Sequence, residues 1–282
     1  MIDDVTAVLV TLDEEQNVEA CIETIRAAGV ESVLVIDASS TDRTAERARG
    51  SGAKVHVVPR MGLAYQRQYG VDRVRTPFVL MADADNRFRA ETVQLLRDDL
   101  VSSGMAGVAP RKVAKEPSSY WARAWSWHND LSYASPGHRL VIGTPALYWT
   151  HVLQDVRYDP AMTGASDDTD LCLRLSLAGW QVGVGSAVCD ELVRVGFRQF
   201  ARKTMWYGRG DAQFFFKHPD RRRSIATHPI RNYLLRGSWG AIRKGRPGFV
   251  AFYALYAVLR SLGFLRALLF LATRKRLPIY RT

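Results

Sequence analysis

The chain has 282 residues, of which 47% are hydrophobic, and its formal net charge is +11. This hydrophobic fraction excludes a disordered protein and suits one large domain, or one domain with an appendage. The charge is uneven, because residues 197–282 carry 19 lysines and arginines against only Asp211 and Asp220, while residues 1–196 carry a net charge of −6. A basic tail with apolar runs favours an anionic membrane surface over nucleic acid as its partner.

Residues 5–110 alternate between the hydrophobic periods of strands and helices. Apolar strands are predicted at residues 5–10, 32–36, 55–58 and 78–82, and helices at about 18–25, 41–49, 63–74 and 90–103. Asp13 and Gln16 predict a capping box for the first of these helices. Strands that are apolar throughout, each followed by a helix, indicate a mostly parallel sheet covered on both faces. This part of the chain is therefore predicted to be an α/β domain.

Every predicted strand ends in polar residues. Thr11, Asp37, Arg60 and Asp83 each follow a different strand. Ligands of open α/β sheets bind beyond the carboxyl ends of the strands, so these residues are expected to line one crevice. The sequence has no GxGxxG after the first strand and no GxxxxGK[ST], which argues against the usual dinucleotide and phosphate-loop sites. Acidic residues at such an edge suit a hard divalent cation that holds a diphosphate.

Asp83 and Asp85 form an Asp-x-Asp pair at the end of the fourth predicted strand. Residues i and i+2 of a strand face the same side, so both carboxylates can point at one ion. Taken alone, such a pair is more often an exposed loop or a helix cap. The motifs elsewhere in the chain decide between these interpretations.

Five segments together resemble glycosyltransferase family 2 in order and spacing. They are residues 11–17, 35–44, 62–70, 81–85 and 167–174. The resemblance implies the GT-A fold, an α/β fold with a mostly parallel central sheet flanked by helices, here with a helical basic C-terminal region. It also implies transfer of a sugar from a nucleotide-diphosphate donor, a UDP- or GDP-sugar. Residues 1–215 would form the catalytic domain, and residues 216–282 an apolar-rich, basic region that associates with a membrane.

The resemblance assigns donor contacts to residues near the strand ends. Thr11 and Glu14 would contact the nucleoside, and Asp37 would accept hydrogen bonds from its base or ribose. Arg67 would lie near the diphosphate as a fixed positive charge, with a solvated helix residue as the alternative. Asp83 would lie near the ribose or serve as an outer ligand of the metal.

The resemblance also implies a metal ion, with Asp85 as its direct ligand. Oxygen ligands select hard cations, so Mg²⁺ or Mn²⁺ is expected. Many relatives place a further histidine ligand after the strand that follows the acidic helix, but residues 187–192 contain none. Asp190 or Glu191 would replace it, or water would complete the coordination.

The acidic segment that begins at Asp167 would supply the catalytic base. The family pattern aligns Asp168 with that base and places Asp167 at the donor, where glutamate is usual. A single carboxylate base facing the leaving group implies direct displacement with inversion. The alternative is an acidic first helical turn favoured by the helix dipole, which applies to at least two of Asp167, Asp168 and Asp170.

The basic tail begins with residues 198–210, which resemble the family segment that closes over the donor. Arg202 and Arg209 would contact the diphosphate, with a solvated basic face as the alternative. Residues 199–203 lack the tryptophan of the Gln-x-x-Arg-Trp motif, which argues against processive synthesis. Trp206 and Tyr207 are expected to pack in the core rather than against the acceptor sugar.

Residues 249–272, followed by the basic residues 274–276, predict a pair of helices lying in a membrane interface with arginines at the headgroups. The tryptophan-rich helix around Trp121, Trp125 and Trp127 is a second candidate lipid contact. The alternative is a helical hairpin packed on the domain or in an oligomer interface. The expected location is the cytoplasmic face of the cell membrane, held peripherally, with a lipid-linked or glycolipid acceptor.

Two other functions remain open from the sequence alone. A sugar-nucleotide pyrophosphorylase would have related architecture, but its glycine-rich, arginine-containing loop is absent after the first strand. A catalytically inactive, membrane-bound partner protein is the other candidate. The missing histidine favours it slightly, whereas Asp83, Asp85 and Asp168 argue against it.

Overall fold

The computed structural model describes residues 1–115, 117–133, 135–193 and 196–273. The chain divides into two compact units. The sheet unit comprises residues 1–116, 129–161 and 168–193, and the helical unit comprises residues 117–128, 162–167 and 194–282. The predicted division at residue 215 concerns functional roles, and it stays a prediction.

The described strands of the sheet unit join into one sheet. They are β1 Val5–Thr11, β2 Ser32–Asp37, β3 Lys54–Val57, β4 Phe78–Asp83, β5 Asn86–Phe88, β6 Gly107–Ala114, β7 Gly137–Arg139, β8 Ala146–Trp149 and β9 Val182–Glu191. Their order is β3-β2-β1-β4-β8-β6-β9-β5, with β7 also paired to β9. Strands β1 to β4 are parallel, β8 runs antiparallel between β4 and β6, and β6 and β9 share the direction of β4. The prediction of a mostly parallel sheet is confirmed.

The described helices flank the sheet or build the helical unit. They are α1 Val18–Ala27, α2 Thr44–Gly50, α3 Leu63–Val71, α4 Thr92–Ser103, α5 Tyr120–Tyr133, α6 Thr150–Val156, α7 Asp167–Leu177, α8 Phe197–Lys217, α9 Arg222–His228, α10 Ser238–Arg243 and α11 Val250–Thr273. A π-helix, Pro229–Gly237, joins α9 to α10, and short 3-10 turns lie at Pro219–Arg221 and Pro247–Phe249.

Helix α3 packs against β1 near the strand ends where the crevice was predicted. Every residue of β1 is buried, as expected for a strand covered on both faces. Gly70 permits the close approach of α3, because a Cβ at this position would lie 2.4 Å from Val8 Cγ1. Gln66 Nε2 then donates hydrogen bonds to the carbonyl oxygens of Thr11 and Ile36 at 3.0 and 2.9 Å. Helix α3 is thereby fixed at the carboxyl ends of β1 and β2.

The predicted capping box of α1 is wrong. Helix α1 starts at Val18 after Asn17, and no side chain caps it. Asp13 has a positive φ of 54°. Its carboxylate accepts a hydrogen bond from the backbone N–H of Thr41 at 2.7 Å. Asp13 therefore stabilises the loop before α2, and α2 itself begins at Thr44 rather than at the predicted residue 41.

The predicted pair of C-terminal helices is also corrected, because α11 is one continuous helix that packs against α8. Glycines make the contact close: a Cβ on Gly208 would lie 2.0 Å from the carbonyl oxygen of Arg260, and one on Gly263 would lie 2.2 Å from that of Met205. Arg260, which was expected at the headgroups, forms a two-bond ion pair with Asp211 of α8, at 2.6 and 2.8 Å. Residues 274–276 lie outside the described residues.

The aromatic residues of the helical unit pack against one another. Trp125 is 4% exposed and stacks on Tyr207 and Tyr256, with ring centroids 6.0 and 5.9 Å apart. Trp121 stacks on Phe200 at 4.8 Å. Trp125 is therefore buried in the helical unit, whereas Trp121 and Trp127 are half-buried and their contact with lipid stays a prediction. Tyr207 is half-buried and stacks on Trp125.

Among the described residues, one helical stretch, Pro247–Thr273, is long and apolar enough to cross a membrane, and 28% of its most apolar window is buried. Length and hydropathy alone do not distinguish a membrane span from a helix packed along one side. All three cysteines are buried and none forms a disulfide.

Candidate active site

Thr11 and Asp37 lie side by side at the ends of β1 and β2, where they are paired in the strand register. Thr11 Oγ1 donates a hydrogen bond to Asp37 Oδ1 at 3.0 Å. The other carboxylate oxygen of Asp37 accepts one from the backbone N–H of Ser40 at 2.9 Å. Asp37 is 1% exposed, so these bonds fix the orientation of a buried carboxylate at the edge of the crevice.

Glu14 lies in the loop between β1 and α1. Its backbone N–H donates to Thr44 Oγ1 at 2.7 Å, and its carboxylate accepts from Asn17 Nδ2 at 2.8 Å. Burial raises the pKa of Glu14, the Asn17 hydrogen bond opposes the rise, and the negative charge of Asp83 adds to it.

Arg67 is the centre of the polar cluster in the sheet unit. Its side chain is 3% exposed. Nη1 donates to Asp168 Oδ1 at 2.7 Å, and Nη2 donates to Thr144 Oγ1 at 2.6 Å. Nη2 also lies 3.6 Å from Asp83 Oδ1. One buried guanidinium thus joins the end of β4 to the start of α7, which shows that Arg67 is not a solvated helix residue.

The environment of Asp168 suits a carboxylate that takes up a proton. Its side chain is 20% exposed. Burial raises the pKa of Asp168, Arg67 opposes that rise, and the nearby charge of Asp83 reinforces it. One oxygen is bound to Arg67, while the other, Oδ2, faces the Cα of Gly143, whose missing Cβ would lie 3.4 Å away. The absence of a side chain at Gly143 leaves room beside Oδ2.

Asp83 ends β4, and Asp85 lies in the turn between β4 and β5. Strand alternation therefore does not place the two carboxylates together. Asn86 organises this turn instead: its Oδ1 accepts a hydrogen bond from the Asp83 N–H at 2.9 Å, and its Nδ2 donates to Asp85 Oδ1 at 3.1 Å. The Asp83 carboxylate is 37% exposed and so remains accessible to a ligand.

Asp190 and Glu191, the two acids predicted to replace the missing histidine, both lie on β9 and have different partners. Asp190 Oδ1 accepts a hydrogen bond from Arg89 Nη2 at 2.7 Å. Glu191 is 7% exposed; it accepts a hydrogen bond from Asn129 Nδ2 at 3.1 Å and lies 3.7 Å from Lys112 Nζ. Within the described part of the chain, no group of three or more His, Cys, Asp or Glu residues is arranged to hold a metal ion.

A sequence model of the family described as glycosyl transferase family 2 matches residues 6–156, more than half of the chain. The chain belongs to glycosyltransferase family 2. The matched residues contain Thr11, Glu14, Asp37, Arg67 and the Asp83–Asp85 turn.

Two glycosyltransferases from Haloferax volcanii are similar to part of this family 2 chain. The low-salt glycan biosynthesis hexosyltransferase Agl6 is 36% identical over 108 residues, which make up 37% of this chain and 26% of Agl6. Glycosyltransferase AglJ is 35% identical over 91 residues, or 32% of this chain and 30% of AglJ. The chain thus spans less than a third of either relative.

Solved structures establish the GT-A fold of this family 2 glycosyltransferase. The mannosyltransferase PcManGT from Pyrobaculum calidifontis, solved with GDP-Man and Mn²⁺, matches 98% of this chain and 77% of its own, with a TM-score of 0.61 and 18% identity. S. aureus TarS 1-349, solved with UDP, matches 98% of this chain and 93% of its own, with a TM-score of 0.55 and 13% identity. At these identities the likeness concerns the fold alone.

Three predicted donor contacts of this family 2 chain belong to the helical unit. Asp167 is the first residue of α7 and is 2% exposed. Arg202 and Arg209 both lie on α8, where Arg202 is exposed and Arg209 is partly buried. Asp170, one of the three acids for which an acidic first turn was the alternative interpretation, has a fully buried side chain that pairs with Arg174 at 2.8 Å. Asp170 therefore has a structural partner inside α7.

Sequence reasoning missed two polar residues that contact this cluster, Thr144 and Lys112. Thr144 holds Arg67, and Lys112 Nζ donates to the Thr144 carbonyl oxygen at 3.2 Å. Both come from the part of the chain where hydrophobic periodicity is weak. The Gly-Thr-Pro turn at residues 143–145 was the available signal, because glycine and proline mark a chain reversal.

Proposed function

We propose that this family 2 chain transfers a sugar from a nucleotide-diphosphate donor, a UDP- or GDP-sugar, to an acceptor hydroxyl, with a divalent cation and with inversion. The observation that carries the proposal is the ion pair of Asp168 with Arg67, beside Asp83 at the carboxyl end of β4. A carboxylate with a raised pKa, a buried positive charge and an accessible acid are the groups such a transfer requires.

The proposed donor site begins with Thr11, Glu14 and Asp37, whose oxygens face the nucleoside. Donor binding would add a hydrogen bond from the base or ribose to the Asp37 carboxylate, whose two oxygens can accept more bonds than Thr11 and Ser40 supply. Arg67 would then neutralise part of the diphosphate charge. Asp167, Arg202 and Arg209 remain proposed donor contacts, because a diphosphate is commonly held by arginine through paired hydrogen bonds.

Asp85 and Asp83 are the proposed cation ligands. Two carboxylates fit Mg²⁺ or Mn²⁺, since Mg²⁺ is commonly held by one or two carboxylates together with substrate phosphates and water. When bound, the cation would stabilise negative charge on the departing diphosphate. Asp190 stays a weaker candidate ligand, because Arg89 already occupies one of its oxygens.

Asp168 is the proposed catalytic base. The acceptor hydroxyl gives its proton to the free oxygen of Asp168 while its own oxygen bonds to the anomeric carbon. At the same time the bond between that carbon and the diphosphate oxygen breaks, and the nucleoside diphosphate leaves with the electron pair. Attack opposite the leaving group inverts the anomeric centre. Arg67 keeps Asp168 ionised before it accepts the proton.

The acceptor is proposed to be lipid-linked, and the enzyme to act at the cytoplasmic face of a membrane. The basic charge of residues 197–282 and the apolar helix α11 support this location. The names of Agl6 and AglJ, a glycan-biosynthesis enzyme and a glycosyltransferase, agree with a glycan product. An inactive membrane-bound partner protein is the second candidate, since β9 lacks the usual histidine.

Donor turnover tests the proposal directly. Nucleotide release from a panel of UDP- and GDP-sugars is measured with Mn²⁺, with Mg²⁺ and with chelator, using membrane lipid extract as acceptor. Release that requires a cation and falls in Asp85→Asn, but not in the matched variant Asp155→Asn at an exposed position of α6, supports the proposal. Absence of cation-dependent release with every donor contradicts it and favours the inactive partner protein.

A further inference from the structure

The helical segment from Arg222 to Arg246 carries an exposed apolar face. Its largest members are Leu235 and Trp239, which are 60% and 61% exposed, and Ile230 and Ile242 are 53% and 49% exposed. We name residues 230–246 the outer helical face. Large apolar side chains gathered on a short segment at such exposure indicate an interaction surface rather than isolated surface residues.

The helical periodicity explains why these side chains share one side. Pro229, Tyr233 and Ala241 are buried at a spacing of four or eight residues. Gly237 completes this inner row, because a Cβ there would lie 2.4 Å from Tyr253 Cδ1. Pro229–Gly237 is a π-helix, which has more residues per turn than an α-helix. From this segment into α10, side chains on the same side therefore recur about every four residues. Leu235 lies two residues after Tyr233, and Trp239 lies two residues after Gly237. Both side chains therefore point away from the helical unit.

Charge determines what this face can bind. Between Arg222 and Arg246 the segment has seven lysines and arginines and no acidic residue. All seven are exposed, including Arg231, which lies one helical turn before Leu235, and Arg243, which lies one turn after Trp239. His228 adds no charge near neutral pH, because burial lowers its pKa to about 4. The face is thus uniformly cationic around an apolar centre.

Two other occupants fit this chemistry less well. A second copy of the chain meeting the same face, residues 230–246, would bring five positive charges against five, which is unfavourable. The phosphates of a nucleic acid would pair with the lysines and arginines, but Ile230, Leu235 and Ile242 would have no apolar partner. At the interface of an anionic bilayer, phosphate headgroups can pair with the lysines and arginines, and the adjoining acyl chains can contact the apolar side chains.

We propose that the outer helical face lies flat in the headgroup region of an anionic bilayer, with Leu235 and Trp239 inserted towards the acyl chains. This inference deepens the membrane association proposed above by assigning it to residues 230–246 rather than to α11. The Arg260–Asp211 ion pair and the close contact of Gly208 with α11 hold that helix on α8, a helix rich in charged residues.

Vesicle sedimentation with the full chain tests this assignment. The probes are vesicles of phosphatidylcholine alone and vesicles containing phosphatidylglycerol. Binding to the anionic vesicles is expected to be about tenfold or more tighter, and to weaken as salt is raised. Equal binding to both vesicles, or binding unaffected by salt, overturns the inference.

Paired variants identify the residues responsible. The double variants Leu235→Ser/Trp239→Ser and Arg231→Gln/Arg243→Gln are each expected to weaken binding about tenfold or more. The controls remove an equally exposed leucine and arginine of the sheet unit, Leu177→Ser and Arg49→Gln, and should bind as the parent does. Circular dichroism and the thermal midpoint establish that each variant is folded.

Two further outcomes would overturn the assignment. In one outcome, replacing the exposed α11 residues Leu262, Leu265 and Leu269 with serine abolishes vesicle binding, while Leu235→Ser/Trp239→Ser retains it. The lipid contact would then lie on α11. A dimer in solution that dissociates in Leu235→Ser/Trp239→Ser makes a second copy the occupant. Asp168→Asn should bind vesicles as the parent does, so a failure of sugar transfer leaves this test intact.

Discussion

The sheet unit and the helical unit use buried charge in different ways. In the sheet unit, Arg67 is shared among Asp168, Thr144 and Asp83, and Asp83 remains 37% exposed. In the helical unit, Asp211 and Arg260 bind each other through two hydrogen bonds, and their side chains are 11% and 12% exposed. The first arrangement is open and can exchange partners with a ligand. The second is closed, which points to chemistry in one unit and packing in the other.

The largest expected effect tests the open cluster. Replacing Asp168 with asparagine removes the proposed base with little change in shape, and kcat/KM for sugar transfer should fall about a thousandfold. The thermal midpoint should change little, because the amide oxygen can still accept the Arg67 hydrogen bond. Asp155→Asn is the matched control. Undiminished transfer by Asp168→Asn would show that Asp168 is not the base.

Breaking the closed pair of Asp211 and Arg260 should lower the stability of the protein. Replacing Arg260 with methionine leaves Asp211 buried without its partner, and the free energy of unfolding should fall by about 3 to 5 kcal/mol. The double variant Asp211→Leu/Arg260→Met, which removes both charges, should regain a large part of that loss. Urea denaturation of the parent and of the two variants measures this. Equal losses in the single and double variants would mean that the ion pair is not the main contact between α8 and α11.

Acid should weaken the helical unit through two half-buried histidines, His128 and His228. His128 packs against Tyr233 and Tyr253, and burial lowers its pKa to about 4, as it does for His228. An unfolded histidine binds a proton near pH 6.5 and these folded ones do not, so stability is constant above that pH and falls between about 6.5 and 4. Each histidine contributes about 3 kcal/mol at most.

The measurement is the thermal midpoint at pH 7 and at pH 5. The parent should lose stability over this interval, and His128→Gln should lose less, since glutamine does not titrate. The exposed His151→Gln is the control and should behave as the parent. An identical loss in His128→Gln would exclude this histidine as the cause.

The strands and the acids at their ends were predictable from the sequence because both depend on short-range patterns. Apolar runs such as β1 and β4 report burial on both faces, and the first polar residue after each run reports the strand end, as at Asp37 and Asp83. Their catalytic or binding roles remain proposals. The capping box at Asp13 failed because a residue far along the chain, Thr41, offered its carboxylate a better partner.

The remaining features depend on contacts that no local pattern encodes. Arg260 looked like a headgroup contact because its partner, Asp211, lies 49 residues away and meets it only when Gly208 lets α8 and α11 approach. The outer helical face was missed for a related reason. Leu235 and Trp239, four residues apart, share one side of a helix, but their exposure depends on the burial of Tyr233 and Ala241, which only the packing of the helical unit determines.

The smallest expected effect is a shift in the pH dependence of transfer, which returns to Arg67 and the open cluster. Asp168 acts as a base only when ionised, so activity is present above its pKa and is lost as the pH falls through it. Arg67 lowers that pKa against the effect of burial. In Arg67→Gln the pKa of Asp168 should therefore rise, and the acid limb of the kcat profile should move to higher pH.

Arg157→Gln, which removes an arginine paired with Asp72 at the surface, should leave the acid limb unchanged. A limb unmoved in Arg67→Gln, measured at saturating donor so that weaker binding does not intervene, would mean that the guanidinium does not control Asp168.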